Sequence, residues 1–147
     1  MTDTQQLRDD AKQALRRLAS SVSVVTCRQG GRDFAMTATA VSALSMEPPS
    51  MLVCVNRSAA FHAALRQADA FAINVLSRAH VVISRLCSGE AKGESRRGVG
   101  CWDTLAAAPV LADAQAAIIC RKVKELEYGT HTVFMGPILS NFHHWRS

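Results

Sequence analysis

The sequence predicts a mainly β fold with flanking helices, an antiparallel barrel in preference to a doubly wound α/β sheet. Three observations lead there: short runs of β-branched residues, glycine or proline turns between them, and only two or three helical stretches. A chain of 147 residues can bury one hydrophobic core and is too short for two ordinary domains, so residues 1–147 read as a single domain.

The elements follow in order. Leu7, Ala11, Ala14, Leu15 and Leu18 recur at helical spacing, which predicts a helix over about residues 5–19 whose apolar stripe packs on the barrel. From Val22 the pattern turns to β-branched residues, and Gly30-Gly31 predicts a turn into a second strand beginning near Asp33. Residues 35–45 stay β-compatible until Glu47-Pro48-Pro49 interrupts them, and residues 51–55 read as a buried strand. Ser58, in a capping position, precedes a helical stretch beginning at Ala59. Residues 71–76 form another apolar strand, 80–86 have the spacing of a short helix, and 88–100 read as an exposed loop rich in glycine and charge. Residues 114–126 and 130–139 read as two long strands joined through Tyr128-Gly129.

Composition narrows the function. Hydrophobic residues at 48% and charged residues at 20% are an ordinary globular balance, which argues against disorder and collagen-like repeats. No apolar run reaches the roughly 20 residues of a spanning helix, and the polar N-terminus lacks a basic segment followed by an apolar one. The expectation is a cytoplasmic protein that does not engage a membrane. Five cysteines, odd in number and without a CxxC pair, suggest neither a zinc knuckle nor a disulfide framework, so no metal site is expected. Three of them sit in apolar strand-like runs as small buried hydrophobes.

A formal charge of +5 suits an anionic partner. The clusters Arg16-Arg17, Arg96-Arg97 and Arg121-Lys122-x-Lys124 are scattered, however, and no nucleic-acid-binding signature accompanies them. Phosphate-bearing cofactors explain the charge better than nucleic acid does. Because no GxGxxG or Walker sequence is present, a nucleotide must be held in another way.

Two segments carry the candidate chemistry: Met36-Thr37-Ala38-Thr39-Ala40-Val41-Ser42 and Asn56-Arg57-Ser58-Ala59. Each joins a strand end to hydroxyl or amide side chains and small neighbours, so backbone can approach a planar ligand. In the second, Ser58, the free N–H groups of the following helix and the permanent charge of Arg57 suit a phosphate. The plainer alternative is that Ser58 only caps the helix and Arg57 is solvated.

Taken together, Ser21-Val-Ser-Val-Val-Thr, Met36-Thr-Ala-Thr-Ala-Val-Ser-Ala-Leu-Ser-x-x-Pro-Pro, Leu52-Val-Cys-Val-Asn-Arg-Ser, Phe71-Ala-Ile-Asn-Val-Leu and Gly129-Thr-His-Thr-Val-Phe-Met-Gly resemble the flavin reductase-like family over about residues 15–136. The resemblance implies a Greek-key split β-barrel of the FMN-binding type that works as a homodimer. It also implies NAD(P)H-dependent reduction of FMN or FAD, with NADH or NADPH as hydride donor and a flavin-dependent monooxygenase as partner. By position it places Met36, Thr37, Ala38 and Thr39 against the isoalloxazine. The same resemblance implies that Asn56, Arg57, Ser58 and Ala59 hold the ribityl phosphate, that Asn74 sits near the same cleft, and that His131 faces the nicotinamide side of the flavin. In such a reaction the cofactors contain the reactive groups and the protein orients them. A non-catalytic flavin- or haem-binding protein on the same barrel is the alternative.

Two segments depart from the family pattern. Arg96-Arg97 stands where an Arg-Phe pair is usual, and after Gly136 the chain runs through Asn141 to Ser147 without the usual sequence of a closing strand. A domain lacking that strand, with an exposed barrel edge, is the expectation.

Overall fold

The computed structural model describes residues 3–16, 22–38, 40–76, 102–103, 107–112 and 114–143. The expected helix at 80–86, the loop at 88–100 and the Arg96-Arg97 pair lie outside them. The elements are α1 (Asp3–Arg16), β1 (Ser23–Gln29), β2 (Arg32–Ala38), β3 (Val41–Met46), β4 (Pro49–Asn56), α2 (Ala60–Gln67), β5 (Ala70–Val75), β6 (Trp102–Asp103), β7 (Val110–Leu111), β8 (Ala116–Arg121), β9 (Lys124–Tyr128) and β10 (His131–His143).

Local chemistry sets the hairpins. Gly30 and Gly31 both take positive φ, 61° and 76°, which glycine adopts without the strain of a Cβ, and the turn sets Gln29 opposite Arg32. Pro48 and Pro49 end the β3 run as expected, yet the chain reverses at once and pairs Met46 with Pro49. Gly129, at φ 57°, reverses β9 into β10.

The main sheet is antiparallel, in the order β2-β1-β5-β8-β10-β4-β3, with β9 also paired to β10. Strands distant in this order meet in one core: Val25 and Cys27 of β1, Val53 and Val55 of β4, Phe71 and Ile73 of β5, Cys120 of β8 and Phe134 of β10 are packed together. That convergence requires a sheet rolled on itself, as the mainly β barrel expectation demands. Phe61, Ala64 and Leu65 of α2 fill the same core. Burial pushes the thiol pKa of Cys27 up to about 12 and that of Cys120 up to about 11.

A second, thinner layer covers the outward face of β1, β2, β5 and β8. Val24 and Ala35 pack with Leu111 and Ala114, while Ala72, Ala117 and Ile119 pack with Ala108 and Val110.

One expectation changes at this level. The run at 114–126 is two strands rather than one, because the chain corners at Lys122-Val123. There Lys122 N–H donates to Asp69 O at 2.8 Å and Val123 N–H to Met135 O at 3.0 Å. In the stripe of α1, Leu7 is 71% exposed and Ala11 is exposed too, while the side chains of Ala14, Leu15 and Leu18 lie outside the described residues. Helical periodicity reports an apolar face but not what covers it. Finally, the chain beyond Gly136 continues β10 to His143, and Ile138–His143 pairs with β8 across a register shift, so β8 has strand neighbours on both sides.

Candidate functional site

The second candidate segment lies where β4 ends. Asn56 Oδ1 accepts two hydrogen bonds from Ser58, from the backbone N–H at 2.9 Å and from the hydroxyl at 2.8 Å. This turn corrects the capping expectation: the cap of α2 is Ala59, in an extended conformation and with no side-chain cap bond. The helix begins one residue later than a Ser58 cap requires, so Ser58 lies before the cap position and its groups instead close a turn on Asn56, a residue that favours such turns.

The turn is fastened to the β9–β10 hairpin. Arg57 N–H donates to Thr130 O at 2.9 Å, and His131 stands opposite Asn56 across the β4–β10 pair. His131 is exposed, with Nδ1 2.8 Å from Thr130 Oγ1. Below it, buried His62 of α2 places Nε2 2.8 Å from Thr132 Oγ1 and sets its ring edge-on to Phe134, centroids 5.4 Å apart. The helix after the turn and the strand carrying His131 are therefore held together by a buried hydrogen bond.

The first segment comes near through the core. Ala38 is buried in the same cluster as Val55 and Phe61, and Met36 packs against it. Thr37 lies between them and so on the opposite face of β2. Thr39 lies outside the described residues. Asn74 is elsewhere: fully buried on the outward face of β5, it donates through Nδ2 to Val24 O at 3.0 Å and accepts at Oδ1 from Leu111 N–H at 2.8 Å. Its amide ties the covering layer to the sheet.

Charge gathers at the turn. Arg57 Nη1 lies 3.4 Å from Glu127 Oε2, whose other oxygen accepts from Arg66 Nη2 at 3.2 Å. Arg66 Nε also lies 3.6 Å from Glu125, and Lys122 Nζ 3.2 Å from Glu125. Lys122 further donates to the carbonyls of Leu65 and Arg66 at the end of α2. Glu125, Glu127, His62 and Thr132 were not candidates in the sequence. The period-two spacing of Glu125 and Glu127 puts both on one face of β9, but nothing local names partners some 60 to 70 residues earlier. Among the described residues no group of His, Cys, Asp and Glu is placed to hold a metal ion, and no helix is long and apolar enough to cross a membrane.

A rolled antiparallel sheet, plugged by one helix and carrying an exposed polar turn with a basic side chain at a strand end, defines a split-barrel protein with a surface suited to an anionic ligand. The chain belongs to the flavin reductase like domain family, whose sequence model matches residues 15–144. It is 42% identical to the reductase component of an FADH(2)-dependent resorcinol hydroxylase from Rhizobium sp. strain MTP-10005, over 86% of this chain and 72% of that protein. It is 35% identical to an NADH-dependent FMN reductase, RutF, from Bradyrhizobium diazoefficiens, over 89% of this chain and 73% of that one. Among solved structures, the NADH:FAD oxidoreductase SgcE6 of Streptomyces globisporus C-1027, in complex with NAD and FAD fragments, superposes with a TM-score of 0.80 at 27% identity, covering 92% of this chain and 84% of that one.

Proposed function

We propose that this chain is an NAD(P)H:flavin oxidoreductase that reduces FMN or FAD for a flavin-dependent monooxygenase partner. The observation that carries the reading is the convergence of the Asn56–Ala59 turn with Thr130 and His131 at one end of the β4–β10 pair, in a chain 42% identical to a reductase component. The donors that fit a flavin phosphate are a half-exposed guanidinium and the Asn56 side-chain NH2, carried on a turn whose own backbone N–H groups are held by Thr130 O and Asn56. When flavin and NAD(P)H are bound together, they supply hydride-transfer chemistry.

The chain's own residues then bind and orient. Arg57 and Asn56 hold the phosphate end, Ser58 and Ala59 shape the turn, and Met36 and Ala38 give the ring an apolar wall continuous with the core. His131 presents its imidazole beside them for the nicotinamide. Orientation of two reactants can contribute about 7–11 kcal/mol to lowering a barrier, against about 1 kcal/mol for one hydrogen bond, so a shaped surface can suffice without a nucleophile.

A homodimer acting in the cytoplasm completes the reading. Exposed apolar side chains on β3 (Leu44, Met46), β9 (Leu126, Tyr128) and β10 (Leu139) supply material for an interface between copies. The free thiols of Cys27, Cys54 and Cys120 suit a reducing compartment.

The test is NADH oxidation by purified protein with and without added FMN or FAD, alongside FMN binding by Arg57→Ala. Flavin-dependent turnover and a dissociation constant raised about tenfold, as expected for a lost charge-assisted contact, support the reading. No turnover with either flavin and either nicotinamide would overturn it.

A further inference from the structure

The cation assigned to the phosphate already has a partner. Backbone bonding to Thr130 O fixes the start of the Arg57 side chain, and among the described residues its guanidinium meets one carboxylate, Glu127, at 3.4 Å. That contact is long, and both side chains are nearly half exposed, 48% and 46%. Such a pair is held weakly and is easily exchanged for a stronger one. Glu127 also has somewhere to go, because its other oxygen is bonded by Arg66 at 3.2 Å. Losing Arg57 would not leave it unpaired.

We propose that Glu127 is an affinity-setting residue: it occupies Arg57 in the free protein, must be displaced by the phosphate of the incoming flavin, and returns when the flavin leaves. A phosphate brings charge and several acceptor oxygens to the guanidinium, so it wins the exchange, but its net affinity is lowered by the contact it replaces and by the repulsion of the displaced carboxylate. The consequence suits a protein that must hand reduced flavin on, since a competitor for the anchoring cation speeds release. The proposal rests on Arg57 as the phosphate contact, and the experiment separates the two.

FMN and riboflavin, which lacks the phosphate, are titrated at low ionic strength into wild type, Glu127→Gln, Glu125→Gln and Arg57→Ala. Glu127→Gln keeps an acceptor for Arg66 and removes the competing charge. It should bind FMN about two- to fivefold more tightly, the range set by an exposed ion pair, release it more slowly, and leave riboflavin unchanged. Glu125 makes the same change in net charge without touching Arg57, so Glu125→Gln should leave the ratio of the two affinities as in wild type. Unchanged or weaker FMN binding by Glu127→Gln, or equal tightening by Glu125→Gln, would overturn the proposal while Arg57→Ala still weakened FMN selectively. If Arg57→Ala affected FMN and riboflavin alike, the phosphate assignment itself would fall, and the role of Glu127 with it.

Discussion

Among the described glycines, Gly136 is the one at which an added methyl group should meet the closest backbone. β10 here passes from β9, its partner up to Met135, to β8, its partner from Ile138, and the corner between those strands crosses over it. A Cβ on Gly136 would lie 1.5 Å from Arg121 O and 2.7 Å from Arg121 C. Ordinary packing needs at least ~3 Å, so backbone must shift by more than an ångström. The corner is not free to do so. Arg121 pairs with Ala70, Lys122 N–H is bonded to Asp69 O, and Val123 N–H to Met135 O. Overpacking of this kind costs about 1–3 kcal/mol, and loss of one or two corner hydrogen bonds adds about 1 kcal/mol each. The gain from a less flexible unfolded chain, about 0.4–1 kcal/mol, offsets only part. Gly136→Ala should therefore destabilise by about 2–4 kcal/mol and lower Tm by roughly 5–15 °C for a domain of this size. Urea and thermal unfolding followed by circular dichroism measure both. A loss under about 1 kcal/mol would show that the corner yields cheaply and that the close approach is not a constraint.

Asn74→Ala should cost about 1–3 kcal/mol, chiefly by leaving the buried Leu111 N–H without the amide oxygen that accepts from it, as urea unfolding would report; a loss under about 0.5 kcal/mol would mean that the amide is dispensable. Cys27 and Cys120 should resist iodoacetamide at pH 8 until urea unfolds the chain, and alkylation of the native protein at the unfolded rate would contradict their burial. Their folded pKa values, about 12 and about 11, lie above the ordinary 9.0, so above pH 9 the unfolded chain holds fewer protons than the folded one. The stability due to these thiols is complete below pH 9 and falls as pH rises toward 11 and 12, visible as a falling urea midpoint. His131→Ala should slow NADH oxidation at saturating flavin while changing flavin affinity less than about twofold, a split that kcat and Kd measured on the same preparation resolve.

What the sequence makes legible is what neighbours along the chain decide. Gly30-Gly31 permits only a few conformations, and the turn formed there is the one its residues favour. The strand character of residues 71–76 survives because β-branched and aromatic side chains fit a pleated, buried surface whichever strand lies beside them. One failure is local: Ser58 matches a cap in pattern, but the helix starts one residue later, with Ala59 as its cap, and Ser58 closes a turn on Asn56. The other is a contest with distant groups. Residues 114–126 read as continuous because no breaker interrupts them; the corner at Lys122-Val123 is made by Asp69, Met135 and the end of α2. Gly136 did carry a signal, since glycine inside a strand marks close backbone approach, but which backbone approaches is a tertiary fact.

The same contrast bears on the excess of positive charge. Read along the chain, Arg57 and Arg66 stand alone and Lys122 belongs to the Arg121-Lys122-x-Lys124 cluster, so each could meet a separate phosphate of a polyanion. In the fold they are one cluster, interleaved with Glu125 and Glu127, and Lys122 is further engaged by the carbonyls of α2. Three cations against two carboxylates leave a local surplus of one charge, and the weakest of the contacts with Glu127 is the one to Arg57, at 3.4 Å against 3.2 Å for Arg66. A long polyanion would need a row of such sites, each freed from its carboxylate, with the Coulomb gain diminished at every one. A single phosphate held as proposed above would need only Arg57. On that proposal the arrangement favours a ligand with one such charge over a polyanion, and the corner under Gly136 bears on it because it helps set where β9, and with it Glu127, lies against β10.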